Sequence, residues 1–180
     1  MRSSQRGFTL VELLVVLLVT AVLLAVAAPS LANLRERMAT LQAFHALTAA
    51  LAQARMAAIG RGHPVTVCPS ADGQRCRTDL VWDEGWLVYR DPSRAPQPLR
   101  PEDVLWVESR AAGPVAIRGT VGRHRVRYQA SGMSGGNNAS LRFCSRRHAV
   151  HLGSVVVNIA GRARHARVSR SEPPPCPYVP

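Results

Sequence analysis

The hydrophobic and polar positions of this chain divide it into three stretches with different periodicities. From Phe8 to Ala28 the sequence is almost continuously apolar, and Glu12 is the only charged residue among these 21. From Leu31 to Ala58, apolar residues recur at steps of three and four, which is the period of a helix with one apolar face. After Gly60, short apolar runs alternate with Gly, Pro, Asp and Asn, as is typical of β-strands joined by turns.

These patterns predict one long helix from Phe8 to Ile59 that is kinked at Pro29, because an interior proline removes a helix hydrogen bond. Gly60 and Gly62 follow as the stop signal. The apolar stripe on the second half of this helix is expected to pack on the domain that follows. It consists of Leu31, Leu34, Met38, Leu41, Ala46, Leu47, Leu51, Ala54 and Ala58.

The first stretch is long enough to cross a membrane. At about 1.5 Å per residue its helix reaches roughly 30 Å, the thickness of a bilayer's hydrocarbon core. Arg2 and Arg6 precede it, and such positive charge holds that end in the cytoplasm. A secretory signal peptide has a shorter apolar core with a small-residue cleavage site after it. A plain membrane anchor is the simplest alternative, but a carboxylate inside a span, here Glu12, indicates a function.

The region after Gly60 contains seven predicted strands and no helical periodicity. A long N-terminal helix followed by an all-β domain is an α+β fold. The predicted strands are Pro64–Cys68, Trp86–Arg90, Val104–Glu108, Val115–Arg118, Arg125–Gln129, Leu141–Cys144 and Val155–Ile159.

Four cysteines allow three disulfide connectivities, and disulfides are expected if the domain lies outside the cytoplasm. Cys68 and Cys76 enclose a short loop with the turn residues Asp-Gly in its middle. Cys144 ends an apolar run, and Cys176 lies in a Pro-rich tail that is predicted to be extended on the surface. We therefore predict the pairs Cys68–Cys76 and Cys144–Cys176. Zinc is the alternative, but the sequence has no C-x-x-C pair, and no metal or cofactor is predicted.

Charge is distributed unevenly along the chain. All 23 basic residues are arginine. Residues 29–109 contain nine arginines and nine acidic residues, whereas residues 110–180 contain twelve arginines and one acid, Glu172. A net charge of +11 on one half of a domain indicates a polyanionic partner, such as nucleic acid or an anionic surface.

Motifs for catalysis are weak in this sequence. Ser134 lies in a G-x-S-x-G pattern, but that motif needs a strand before it and a helix after it, and here another strand is predicted to follow. His148 and His151 lie between β runs and are interpreted as two surface histidines. The aromatic residues Trp82, Trp86, Tyr89 and Trp106 are expected in the core or at an interface. The chain is not predicted to be an enzyme, and a membrane-anchored serine hydrolase is the alternative from that class.

The stretch G-F-T-L-V-E-L, from Gly7 to Leu13, resembles the processing site of type IV prepilins and type II secretion pseudopilins. The resemblance implies cleavage by prepilin peptidase between Gly7 and Phe8, and methylation of Phe8. It also implies that Glu12 pairs with the N-terminal amine of a neighbouring subunit during filament assembly. The resemblance further implies a single-pass protein of the bacterial inner membrane. Its N-terminus would lie in the cytoplasm and its C-terminal domain in the periplasm, before the protein enters a pilus or pseudopilus.

The resulting domain prediction has four parts. Residues 1–7 are the leader peptide, residues 8–28 the transmembrane and filament-core helix, and residues 29–60 its amphipathic half. Residues 61–180 form the periplasmic β domain with a basic, Pro-rich tail.

Later motifs are similar to those of the FimT/GspH-like branch of this group. They are C-P-S-A-D-G-Q-R-C, W-D-E-G-W-L-V-Y-R-D, L-R-F-C and V-V-V-N-I-A-G-R-A-R. The fold that this resemblance implies is a long helix packed against two antiparallel β-sheets. Other pilins or pseudopilins in a filament, the inner membrane and prepilin peptidase are the implied partners.

The segment G-R-A-R, from Gly161 to Arg164, is similar to the element with which FimT-type minor pilins bind DNA during uptake. The resemblance implies Arg162 and Arg164 as principal contacts, and Arg146, Arg147 and Arg167 are further candidates. Arginine suits phosphate because its forked donors bind two oxygens. The predicted binding is independent of base sequence and sensitive to salt. A GspH-like pseudopilin of a type II secretion system is the alternative function.

Overall fold

The computed structural model describes residues 9–136, 138–168 and 174–176, so Gly7 and Phe8 lie outside the described residues. Over this part the chain forms one α-helix followed by eight β-strands, with a short 3-10 helix, Pro101–Asp103, before the third strand. The bounds are α1 Leu10–Arg61, β1 Val65–Pro69, β2 Gly85–Arg90, β3 Val104–Ser109, β4 Val115–Arg118, β5 Val126–Tyr128, β6 Ala139–Ser145, β7 His151–Val157 and β8 Ala163–Arg167.

Helix α1 continues through Pro29 without interruption. It ends at Arg61, two residues after the predicted Ile59. Gly62 follows with a φ of +68°, and its N–H donates to the carbonyl of Ile59 at 3.3 Å. A left-handed residue that closes the last turn is the usual way for a helix to end, so the predicted stop signal is confirmed at Gly62.

The chain divides into two compact units, residues 1–37 and 38–180. In the first unit the leucines and valines from Leu10 to Val26 are all exposed. By its length and composition, α1 qualifies as a helix able to span a membrane. A helix that is apolar on all sides needs an apolar environment around it. The surface of this segment therefore suits contact with lipid or with other subunits.

In the second unit, one face of α1 enters the core. The buried residues of the helix recur at three- and four-residue steps and are Ala43, Phe44, Leu47, Ala50, Leu51, Ala54 and Ala58. The predicted core packing is therefore confirmed for the C-terminal part of the stripe. It is wrong for Met38 and Leu41, which are at least 50% exposed. Leu31 and Leu34 belong to the first unit and are exposed there.

Two four-stranded antiparallel sheets follow, as predicted. The first has the order β3-β2-β1-β5 and the second the order β4-β6-β7-β8. Their inner faces meet α1 in one core that includes Trp82, Trp86, Tyr128 and Phe143. Strand β1, V-T-V-C-P, is rich in β-branched residues and buried throughout, as suits a central strand of a sheet.

Two strand predictions need correction. The predicted strand Val155–Ile159 is His151–Val157 in the structure, and it ends before Asn158 because residues 158–162 form a turn. Strand β8, Ala163–Arg167, was not predicted, because its sequence A-R-H-A-R has no alternation of apolar and polar residues. It is an edge strand, and an edge needs only one packed face.

Both predicted disulfides, Cys68–Cys76 and Cys144–Cys176, are formed. The first closes the loop between β1 and β2. The second holds the tail against the turn between β6 and β7, where Pro175 forms a β-bridge with Val150 and the N–H of Cys176 donates to the carbonyl of Ala149 at 2.7 Å. This piece of the tail is therefore paired to the sheet edge, and Cys176 is buried.

Candidate nucleic-acid interface

The turn between β7 and β8 places Arg162. The side-chain Oδ1 of Asn158 accepts a hydrogen bond from the N–H of Arg162 at 2.9 Å, and the N–H of Gly161 donates to the carbonyl of Asn158 at 2.8 Å. Gly161 has a φ of +77°, and a Cβ there would lie 2.0 Å from the carbonyl oxygen of Gly132. Only glycine fits both constraints without strain, so this turn requires glycine at position 161.

Strand alternation then separates the two faces of β8. Ala163 packs on the core, and the ring of His165 lies 3.8 Å from the ring of Phe44 in an edge-on contact. Arg164 lies between them and therefore faces the opposite side. Arg162 and Arg164 are both exposed, and two residues of extended chain span about 7 Å.

Arg167 is also exposed, but it lies on the same face of β8 as His165. It is paired with Gly153 near the far end of β7. The structure therefore does not put Arg167 on one face with Arg164.

Arg146 and Arg147 belong to the turn between β6 and β7, at the other end of β7. The seven residues of this strand separate the two turns by about 20 Å. Asp83 is buried and binds the guanidinium groups of both Arg118 and Arg146. Arg146 is thus held by an acid that lies 63 residues earlier in the chain, while Arg147 is exposed.

Other acids of the neutral half, residues 29–109, also bind arginines. Asp91 binds Arg127 at 2.6 Å, Asp103 binds Arg90 at 2.7 Å, and Asp79 binds Arg77 at 2.6 Å. Within the described residues, eight arginines of the basic half, residues 110–180, form no ion pair. They are Arg110, Arg123, Arg125, Arg142, Arg147, Arg162, Arg164 and Arg167.

Four of these eight were not among the predicted contacts, namely Arg110, Arg123, Arg125 and Arg142. Arg142 lies on the outer face of β6 and is exposed. Arg123 and Arg125 precede β5 and are half-buried. The sequence R-H-R-V-R held a signal for the latter pair, because alternate arginines in extended chain share one face.

Two histidines near the interface have lowered pKa values. Partial desolvation is the main cause for His165, which is exposed overall, and the positive charge of Arg167 adds to it. Burial also lowers the pKa of His151, whose Nε2 lies 2.8 Å from the carbonyl of Gly153. The prediction of two surface histidines is therefore wrong for His151, which is half-buried. Since a pKa below 6.5 leaves both histidines mostly uncharged at pH 7, the positive charge of this region comes mainly from arginine.

The remaining predicted site residues lie elsewhere. Glu12 is exposed in the first turn of α1, where its N–H donates to the Thr9 hydroxyl at 3.2 Å. The Ser134 hydroxyl donates to the carbonyl of Asn158 at 2.9 Å, and the loop leads into strand β6. The serine thus fixes the β7–β8 turn to the loop between β5 and β6.

Two family models match the chain. The model described as type II transport protein GspH matches residues 43–171, which include the core face of α1 and all eight strands. The prokaryotic N-terminal methylation motif matches residues 2–28. None of the curated protein sequences compared with the chain is detectably similar to it.

Two solved structures of the type IV minor pilin FimU from Pseudomonas aeruginosa have a similar fold. The crystal form in space group P21 has a TM-score of 0.58 at 17% identity, over 79% of this chain and 98% of the FimU chain. The form in P65 has a TM-score of 0.53 at 15% identity, over 76% and 98%. At this identity the similarity shows the fold, a pilin-like helix packed on two antiparallel sheets.

The helix, the sheets, the methylation motif and the match over residues 43–171 lead to one assignment. The chain belongs to the GspH family of pilin-like proteins, whose members are minor pilins or pseudopilins of type IV pili or type II secretion systems.

Proposed function

We propose that this protein is a minor pilin of a type IV pilus that binds DNA during uptake in natural transformation, and that Arg162 and Arg164 are its principal contacts. The observation that carries the proposal is the turn at Gly161, which presents two exposed arginines about 7 Å apart in extended chain. No acidic residue occurs in the sequence between Glu108 and Glu172. The role is one of binding and assembly and includes no catalytic step.

The contacts are to phosphate. An exposed guanidinium donates two parallel hydrogen bonds to a phosphate and remains charged at any physiological pH. The outer face around Arg164 belongs to a sheet, and within the described part of the chain no helix lies there to enter a major groove. Binding is therefore independent of base sequence and weakens as salt rises, because counterions are released from the DNA.

The test is a titration of labelled duplex DNA with the full-length protein in neutral detergent, at several salt concentrations. For Arg162→Ala/Arg164→Ala we expect weaker binding to all sequences and a salt slope smaller by about 1.8, since each duplex phosphate contact contributes about 0.9. The matched control is Arg75→Ala/Arg100→Ala, which removes two exposed arginines from the neutral half. Absence of binding by the wild type at low salt, or an equal loss in the control, would contradict the proposal.

The match to the GspH model favours a second function, that of a pseudopilin in a type II secretion system. The N-terminal features serve either machine, so the DNA titration separates the two. A protein that does not bind DNA but is required for secretion of a folded substrate would be the pseudopilin.

Both functions include the same maturation. We propose that prepilin peptidase cleaves between Gly7 and Phe8, that Phe8 is methylated, and that Glu12 pairs with the N-terminal amine of a neighbouring subunit in the inner membrane. The mass of the protein recovered from membranes measures the first two steps directly. Glu12→Gln should leave processing intact and reduce incorporation into the filament, because a neutral side chain gives up the ion pair.

A further inference from the structure

A small notch lies beside the loop that connects β5 to β6. It is lined by Arg123, Arg125, Arg127, Ser134, Gly135 and Ala139 and has a cavity volume of ≈ 20 Å³. That is room for about one water-sized group. A phosphate oxygen fits such a space, whereas a nucleobase does not.

The charges around the notch are not balanced locally. Arg127 is engaged by Asp91, whose Oδ2 lies 2.6 Å from its Nε. Arg123 and Arg125 form no ion pair or side-chain hydrogen bond within the described part of the chain. Of the acids nearby, Asp91 binds Arg127 and Thr66, and Asp79 binds Arg77. Two arginines at one small concavity are therefore available to an anion.

Two glycines let the backbone of this loop lie close to neighbouring side chains. A Cβ at Gly136 would lie 2.5 Å from Nη1 of Arg123, and Gly136 has a φ of +135°. A Cβ at Gly135 would lie 2.5 Å from Nε2 of Gln129. Any side chain at either position would displace these groups, so the loop approaches the guanidinium with its backbone alone.

The same loop connects the notch to the proposed DNA contacts. Ser134 donates through its hydroxyl to the carbonyl of Asn158 at 2.9 Å and through its N–H to the carbonyl of Ile159 at 3.0 Å. Asn158 in turn accepts from the N–H of Arg162. Gly136 follows Ser134 after one residue and lies against Arg123, so the loop forms a short bridge between the two arginine pairs.

We propose that Arg123 and Arg125 form a second phosphate site, and that one DNA strand runs from Arg162 and Arg164 across the Ser134–Gly136 loop to this notch. The proposal rests on the DNA binding proposed above and adds the path of the strand. The notch holds a phosphodiester oxygen, and no base is read there.

The same salt titration of full-length protein tests the path with Arg123→Ala/Arg125→Ala. We expect binding to weaken for all duplex sequences, with a salt slope smaller by about 1.8, as for the loss of two phosphate contacts. Arg123→Lys/Arg125→Lys should retain most of the slope, since the slope depends on how many phosphates are neutralised and lysine carries the same charge as arginine. Arg75→Ala/Arg100→Ala is the control for the loss of two charges, and thermal unfolding of each variant monitors the fold.

The outcomes separate the two proposals. If Arg162→Ala/Arg164→Ala lowers the slope but Arg123→Ala/Arg125→Ala behaves like the control, the path is overturned and the DNA site at the turn stands. If the lysine variant loses as much slope as the alanine variant, the pair acts through structure and the path is again overturned. If the wild type does not bind DNA, both proposals fail.

Discussion

Strand β7 has an arginine-bearing turn at each end, and the two turns use their arginines differently. At the β6–β7 end, Arg146 is bound by the buried Asp83, and the Cys144–Cys176 disulfide holds the tail against the turn. At the β7–β8 end, backbone and amide hydrogen bonds of Asn158 and Gly161 fix the turn, and Arg162 has no acidic partner within the described residues. The comparison shows that a cluster of arginines in the sequence does not reveal which of them lack an acidic partner. Acids from distant parts of the sequence decide which arginines remain available to a ligand.

The largest effect is expected from removal of the acid at the β6–β7 turn. Asp83→Asn leaves Arg118 buried without its countercharge, and loss of one partner from a buried ion pair destabilises a protein by about 4 kcal/mol. Arg146 is released at the same time, so we expect DNA to bind more tightly. Urea unfolding and the DNA titration measure the two effects.

The control for that prediction is Glu84→Gln, at the neighbouring acid. Its ion pair with Arg77 is solvent-exposed, so the free energy of unfolding should fall by only about 0.5 kcal/mol. Equal losses for the two variants would show that Asp83 does not hold the β6–β7 turn.

The second prediction concerns the disulfide at the same turn. Cys144 and Cys176 are 32 residues apart, whereas Cys68 and Cys76 are 8 apart. The entropy of loop closure gives the expected losses. Replacing Cys144 and Cys176 by alanine should lower the free energy of unfolding by about 3.7 kcal/mol, and replacing Cys68 and Cys76 should lower it by about 2.5 kcal/mol. Urea unfolding of the two double variants measures the order, and a larger loss for Cys68→Ala/Cys76→Ala would contradict it.

Much of the fold could be predicted because it depends on local pattern. The apolar run, the three- and four-residue steps and the turn residues predicted the helix and seven of the strands. Met38 and Leu41 were misjudged because periodicity gives the apolar face of a helix and not the residues that cover it. Strand β8 was missed because its inner face carries Ala163 and His165, which are weak strand signals.

The candidate site was predictable only in part, for the same reason. Gly161, Arg162 and Arg164 follow one another in sequence, so a motif identifies them. The pairing of Asp83 with Arg146 spans 63 residues and depends on how β4 lies beside β6. The notch at Arg123 likewise exists only because the loop at Ser134 folds back onto β5.

The third prediction concerns a substitution that places an acid at the β7–β8 turn, as Asp83 does at the β6–β7 turn. Asn158→Asp preserves an oxygen acceptor for the N–H of Arg162 and adds a negative charge beside that arginine. We expect the free energy of unfolding to change little, while DNA binding weakens by about 1 kcal/mol, or roughly fivefold, at low salt. High salt should reduce the difference between variant and wild type, and a loss that is the same at all salt concentrations would point to structural damage instead.

The smallest expected effect depends on pH and concerns the strand that carries Arg164. The pKa of His165 is lowered from 6.5 mainly by burial, so the folded state binds a proton less readily than the unfolded chain does. The contribution of His165 to stability is therefore complete above about pH 6.5 and is lost as the pH falls through that value, since the unfolded state then takes up more protons. His165→Phe retains an aromatic ring against Phe44 and cannot titrate, so its free energy of unfolding should fall less than that of the wild type between pH 7 and pH 5. His148→Gln, at an exposed histidine of the other turn, should follow the wild type. Unfolding in urea at both pH values measures the difference, and an equal decline in all three proteins would show that His165 does not contribute to the pH dependence of stability.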